Sequence, residues 1–346
     1  MKLQTPDKNA VDIVYLWVDG GDAHWRSKRQ AAARNAQQQS PHALARYGDV
    51  EGRYRDNEEL RFSLRALAQF FPEHGHVFIV TDKQVPAWLV RSERVSIVDH
   101  QDLIPHAALP TFDSSHIESY IHRIPGLSER FFYLNDDVFF GAPVYLPDWF
   151  SPEGIYVAWS DEMRVSDEAL RRDATSQENA CRISEHWLRM NSRATMDPGY
   201  RPSFRTFAHA PRPLYKSLLW QLEQAAPEVF AQARSSVFRN WDGPSIVSDF
   251  VLRWALAHGS AQVKDYRHAY LSIGDADAST QLAQLADDFG RLDFFCVNDT
   301  ADNARADDPR LTDLQRTLEV ILPHPCAYET SHQRLETPEN FALAIE

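Results

Sequence analysis

Four short apolar runs set the limits on how this chain can fold: Val11–Val18, His76–Val80, Val95–Val98 and Phe131–Leu134. Each is rich in β-branched or aromatic residues and bounded by polar turn residues, so each reads as a buried strand. Between them lie segments of helical period. Leu60, Leu64, Leu67 and Phe71 share one face behind Asp56 and Glu59, and Ile117, Tyr120, Ile121 and Ile124 share another behind Ser115 and Glu118. In both segments the acid three residues on reads as a capping box, and Pro125-Gly126 stops the second helix. Strands alternating with helices give an α/β fold with a mostly parallel sheet. Ligands of such sheets bind beyond the carboxyl ends of the strands. Here the four strands run into Asp19, Asp82, Asp99 and Asp136, which predicts one mouth lined by carboxylates.

The second half reads as more helical. Pro213 opens a helix with Leu214, Leu218 and Leu222 on one face, another runs from Ser245 to His258, and Leu311–Leu322 forms a third before Pro323 and Pro325. Arg291–Val297 is an apolar strand ending in Asn298-Asp299. The Arg29–Gln39 stretch permits a helix but is weakly patterned, and Val165–Arg205 is polar and irregular. A length of 346 residues exceeds one average domain, roughly 150 residues. The chain reads as an α/β core over 1–160, an irregular insertion over 161–205 and a helical part over 206–346 that completes the site and the sheet.

A formal net charge of −13 speaks against a nucleic-acid footprint or a polybasic membrane patch. It leaves room for an anionic substrate in a locally positive pocket. Cys181, Cys296 and Cys326 lie far apart with no CxxC pair, so neither a disulfide framework nor a zinc site is expected. The opening Met-Lys-Leu-Gln-Thr-Pro-Asp-Lys lacks the apolar stretch of a signal peptide. No uncharged apolar run approaches the length of a membrane span, about 18 residues or more. A cytoplasmic protein is the expectation. The phosphate-loop, dinucleotide and nucleophile-elbow motifs are absent.

Chemistry concentrates in Phe131-Phe132-Tyr133-Leu134-Asn135-Asp136-Asp137-Val138-Phe139-Phe140-Gly141. Two adjacent carboxylates between apolar flanks are costly unless paired, and a hard divalent cation such as Mg²⁺ is the natural partner of carboxylate oxygens. The plainer reading is a tight surface turn. Asn298-Asp299 also follows an apolar strand, and the two acidic turns could share one ion if they sit at one sheet edge. His209 precedes the helix expected at Pro213, and His122 and Arg123 end the helix that leads into the acidic strand. Arg61 and Arg65 lie four apart on a helix, where a solvated face is the plainer reading than an anion clamp, and Arg239 stands among aromatics, where cation–π packing is the plainer reading.

These blocks, taken in order, resemble the Stealth family of sugar-1-phosphate transferases. The first is Asp12-Ile13-Val14-Tyr15-Leu16-Trp17-Val18-Asp19-Gly20. The second runs from Arg55-Asp56-Asn57-Glu58-Glu59-Leu60-Arg61, through Ile79-Val80-Thr81-Asp82, Leu109-Pro110-Thr111-Phe112 and His122-Arg123-Ile124-Pro125-Gly126, to Asn135-Asp136-Asp137. The third is His209-Ala210-Pro211-Arg212-Pro213 with Phe238-Arg239, and the fourth is Cys296-Val297-Asn298-Asp299 with the stretch near His324. The resemblance implies a Rossmann-like, nucleotide-sugar-binding core. It also implies transfer of a hexose 1-phosphate from a UDP-sugar, UDP-N-acetylglucosamine foremost, to a hydroxyl of a saccharide or growing polysaccharide, with release of UMP. On this reading Asp136, Asp137 and Asp299 hold Mg²⁺ or Mn²⁺, Asp137, His209 and Arg239 carry the catalysis, and His209 is the general base because imidazole titrates near working pH. Arg61 and Arg239 neutralise the diphosphate, Asp12, Asp19 and Gly20 hold the nucleotide, and His122 and Arg123 bind substrate. No nucleic-acid partner is expected; peripheral association with capsule machinery is. A glycosyltransferase that releases UDP and an inactive saccharide-binding module are the alternatives.

Overall fold

The computed structural model describes residues 10–39, 44–45, 48–192, 195–302, 304–305 and 307–330. The opening octapeptide lies outside these, as does the end of the 206–346 segment beyond residue 330. In chain order the first half contains β1 (Val11–Leu16), α1 (Ala23–Gln39), a 3₁₀ turn (Glu51–Tyr54), α2 (Glu59–Phe70), β2 (Val77–Thr81), β3 (Val95–Asp99), α3 (His100–Leu103), α4 (Ser114–Glu118), β4 (Arg130–Asn135), β5 (Val138–Phe140) and β6 (Ile155–Val157). The second half contains α5 (Ser176–Asn191), β7 (Arg212–Tyr215), α6 (Lys216–Ala225), α7 (Pro227–Ala233), a π-helical turn (Ile246–Phe250), α8 (Val251–Ala257), β8 (Ala261–Val263), β9 (His268–Ser272), α9 (Ala278–Asp288), β10 (Phe294–Asn298) and α10 (Pro309–Ile321).

The main sheet has the order β3-β2-β1-β4-β7, parallel except for β7. β1 lies in the middle, paired with β2 on one side (Val14 opposite Phe78) and β4 on the other (Val14 opposite Tyr133). Strands buried on both faces need continuous apolar runs, and every residue of β1 and β2 is buried. α2 covers this sheet with Leu60, Leu64 and Leu67, the face that the periodicity predicts. The strand order reverses between β1 and β4, and that is where α/β sheets open their ligand crevice.

A second sheet, β5-β10-β9, continues from the first. Asp136-Asp137 is the link between β4 and β5, and β10 runs antiparallel to β5 with Cys296 opposite Val138. Val297 N–H donates to the Asp137 carbonyl at 3.0 Å. The Asn298-Asp299 turn therefore leaves the sheet beside Asp136-Asp137, so both acidic turns share one edge.

Several local expectations are corrected. Asp56 does not cap α2: the N-cap is Glu58, in the left-handed region at φ 67°, while Glu59 reaches back to the Asn57 amide at 2.7 Å. α4 is capped by Asp113 rather than Ser115, because Glu118 is drawn instead to the Tyr133 hydroxyl. Pro213 sits in β7, not at a helix start; on an edge strand its missing N–H costs no ladder bond. The stretch expected to be irregular contains α5, held by a capping box between Thr175 and Glu178.

Candidate active site

Two recesses open beyond the carboxyl ends of the parallel strands, and both are lined by Asn135. The first, about 600 Å³ including its mouth, is walled by Trp17, Trp25, Tyr54, Phe112 and His100, with Arg53 and Asp136 also lining it. The second, about 500 Å³, is polar and takes in Asp113, Glu118, Gln177, His209, Arg212 and Arg239. The 3₁₀ turn reaches the first recess because of two glycines. Gly20 donates its N–H to the Tyr54 carbonyl at 2.7 Å, where a Cβ would lie 2.2 Å from that oxygen. Gly52 lies so close to Asp299 that a Cβ would meet its carboxylate at 2.5 Å.

The acidic pair is poorly compensated. Burial first, then the charges of Asp137, Glu59 and Asp56, push the Asp136 carboxyl well above its ordinary range. Burial also lifts Asp137, against the pull of a hydrogen bond from Cys296 and the charges of Arg53 and Arg212. Asp137 Oδ2 receives the Cys296 thiol at 3.5 Å, whereas Asp137 Oδ1 is buried with no hydrogen-bond partner. Burial brings Asp56 up to about 6 and Glu59 up to about 8. A surplus of carboxylate with an orphaned oxygen fits a divalent cation, so Asp136 and Asp137 suit that role. Asp299 is engaged elsewhere: its carboxylate accepts from Arg55, from Asn57 Nδ2 at 3.3 Å and from the Ala301 amide at 2.9 Å. No preassembled set of three or more metal-ligating side chains occurs among the described residues.

Opposite the acids stand guanidinium groups. Arg239 Nε makes no hydrogen bond, its nearest paired carboxylate being Asp113 at 3.9 Å, and Arg212 Nε, almost fully buried, also has no partner. His209 Nε2 accepts from the Gln177 side-chain amide at 2.6 Å. Burial, then the charges of Arg212, Arg239 and Arg53, bring the His209 imidazole down to about 3. The reason first given for a general base, titration near neutrality, therefore does not hold in the free protein. Glu118, 1% exposed, accepts the Tyr133 hydroxyl at 2.9 Å on Oε1, while Oε2 is buried without a partner.

The structure brings together Asp136, Asp137, His209 and Arg239, with Asp299 beside them, and separates the other sequence candidates from them. Asp12 lies at the opposite end of β1, 3% exposed, where its carboxylate accepts the His76 amide at 2.7 Å and the Ser128 amide at 2.8 Å. Arg61 is turned to Glu58 and Glu329. His122 and Arg123 both bind Glu223 at 2.7 Å beneath α6. Asp19 caps its own turn by accepting from Gly21 and lines a neighbouring cleft, and Gly20 serves the close approach to Tyr54. These six residues line neither recess. Sequence reading missed Arg53, Glu118 as an active-site group, Gln177 and Arg212. Arg212 stood beside His209 in the same Pro-rich block, a usable signal; Gln177 had none beyond the Thr175–Glu178 box.

Residues 10–36 match the family model Stealth protein CR1, conserved region 1, and residues 53–158 match Stealth protein CR2, conserved region 2. An exopolysaccharide phosphotransferase of Streptomyces coelicolor is 36% identical over 92% of this chain and 52% of its own length. A second from the same organism is 33% identical over 92% of this chain and 33% of its own length. Exopolysaccharide phosphotransferase CpsY of Mycobacterium tuberculosis is 32% identical over 92% of this chain and 58% of its own length. The chain thus spans between a third and about three fifths of these relatives. Among solved structures, the galactosyltransferase LgtC is similar with a TM-score of 0.44 and 11% identity, over 90% of this chain and 95% of that one.

Proposed function

Because this chain belongs to the Stealth family, we propose that it transfers hexose 1-phosphate, N-acetylglucosamine 1-phosphate foremost, from a UDP-sugar to a saccharide hydroxyl in exopolysaccharide or capsule synthesis. The observation that carries the reading is the meeting of the uncompensated Asp136-Asp137 pair with Arg53, Arg212, Arg239 and His209 beside Asn135, which lines both recesses. Phosphoryl transfer asks a protein mainly for positioning and charge neutralisation, and this arrangement offers both.

Asp136 and Asp137 would hold Mg²⁺ or Mn²⁺, with Asp299 joining them only on leaving Arg55. The ion, when bound, supplies Lewis-acid neutralisation of the diphosphate. Arg212 and Arg239 bring donors that have no hydrogen-bond partner in the free protein, and guanidinium suits phosphate oxygens by bidentate geometry. Burial is the largest cause of the depressed His209 and stays in place, but a diphosphate among the three arginines offsets the charges that add to it, so donor binding raises the basicity of its imidazole. His209 Nε2 then exchanges Gln177 for the acceptor hydroxyl and takes its proton. The acceptor oxygen bonds to the β-phosphorus, the bond between the β-phosphorus and the bridging oxygen breaks, and UMP leaves with that oxygen and the electron pair. Glu118 lines the same recess, and its unpartnered Oε2 would accept a sugar hydroxyl. Segment 161–205 carries Ser176 and Gln177 into this recess on α5, which supports an acceptor role for it. A UDP-sugar donor goes with cytoplasmic work, alongside capsule machinery. No helix among the described residues is long and apolar enough to cross a membrane.

The test is to incubate the protein with UDP-N-acetylglucosamine, Mg²⁺ and a saccharide acceptor and to identify the nucleotide released. UMP supports the reading. UDP means that the sugar alone is transferred, and no nucleotide release with any UDP-sugar favours a binding module.

A further inference from the structure

The aromatic recess holds a polar atom that the chemistry above leaves unused. His100 opens α3 directly after β3, is 3% exposed and lines this recess beside Trp17, Trp25, Tyr54 and Phe112. Its Nε2 is buried and makes no hydrogen bond. A buried polar atom left unpaired costs free energy, and in a pocket it marks the place where a ligand supplies the partner. The walls around it are fixed: the Trp25 ring lies 5.2 Å from Tyr54 and 5.3 Å from Phe112, and Phe112 stacks on Phe238 at 5.1 Å. Burial keeps the imidazole down at about 4, hence neutral at working pH.

A recess with rigid aromatic walls and a few unmet polar atoms, His100 Nε2 with Trp17 Nε1 and Arg53 Nε, suits a flat heteroaromatic ring with a polar edge. Asn135 and Asp136 belong to the same lining, so a base seated here leaves its phosphates beside the acidic pair. We propose that this recess seats the base of the donor nucleotide and that His100 Nε2 hydrogen-bonds the polar edge of uracil, which makes His100 a residue that determines base specificity. This rests on the UDP-sugar reading and adds to it the residue that recognises the uridine.

The experiment is calorimetric binding of UDP and of inorganic pyrophosphate, both with Mg²⁺, to the unmodified protein, His100→Phe and His100→Gln. Loss of one hydrogen bond to a buried group is expected to weaken UDP about tenfold in His100→Phe. Pyrophosphate should bind as before, and His100→Gln, which restores a polar atom, should recover part of the loss. If His100→Phe does not fold, His100→Leu makes the same comparison. Equal UDP affinity in the unmodified protein and the apolar variant overturns the role of His100 and leaves the donor reading standing. Equal weakening of UDP and pyrophosphate overturns it too, since the change then reaches the phosphate site. An unmodified protein that binds pyrophosphate but no uridine nucleotide overturns the donor reading itself, and this inference with it.

Discussion

Asp137 combines an orphaned oxygen with a carboxyl lifted by burial, so removing its charge separates stability from activity. Asp137→Asn is expected to melt no lower than the unmodified protein, because a poorly compensated buried charge has gone, while turnover at saturating Mg²⁺ falls about a hundredfold or more, as for loss of preorganised electrostatic support. Thermal melting and a turnover assay on the same preparation check both halves. His209→Ala is expected to lower kcat by roughly 10²–10⁴ with little change in donor affinity. In the free protein the His209 ring should show no titration between pH 5 and 8 by NMR, because burial and three guanidiniums hold it near 3; a midpoint near 6.5 would contradict the geometry. At this scale the sequence made the acidic pair legible, because two charges between Phe-rich flanks need a reason. Arg61, His122 and Arg123 were misplaced because side-chain direction depends on partners far along the chain: Glu329 for the first, Glu223 for the other two.

Elements are joined by a few buried contacts, and one of them ties α2 to the segment after α10. Glu329, its side chain fully buried, binds Arg61 at 2.6 Å and Arg65 at 2.7 Å and thus ties the segment after α10 to α2. Glu329→Gln is expected to cost about 3 kcal/mol in urea unfolding, since it leaves buried guanidinium charge without its partner. The same pair sets a pH dependence. The folded carboxyl is drawn down to about 2 from an ordinary 4.5, the hydrogen bonds and charges of the arginines outweighing its burial. Its contribution is therefore complete above about 4.5 and is lost as pH falls toward 2; Glu329→Gln should flatten stability against pH across that window. Element type was legible where one face is strongly apolar, as in α2, and illegible in α5, whose identity rests on the Thr175–Glu178 box in a polar stretch. β7 was misread because Pro213 marks either a helix start or an edge strand, and only its pairing with Phe132 decides.

Across the whole molecule, the parallel order of β1 to β4 and the crevice at their carboxyl ends follow from the alternation of apolar runs and helical periods. The antiparallel return of β10 beside β5 does not, because that pairing joins segments far apart in the sequence; yet it places Asp299 beside Asp136-Asp137. The central claim is that this convergence serves transfer of a phosphoryl-linked sugar rather than of the sugar alone. The most direct measurement uses UDP-N-acetylglucosamine labelled with ³²P at the β-phosphate, together with a saccharide acceptor and Mg²⁺. The account expects the label in the saccharide product, with unlabelled UMP released in equal amount. Label recovered in UDP, with an unlabelled saccharide product, would contradict it.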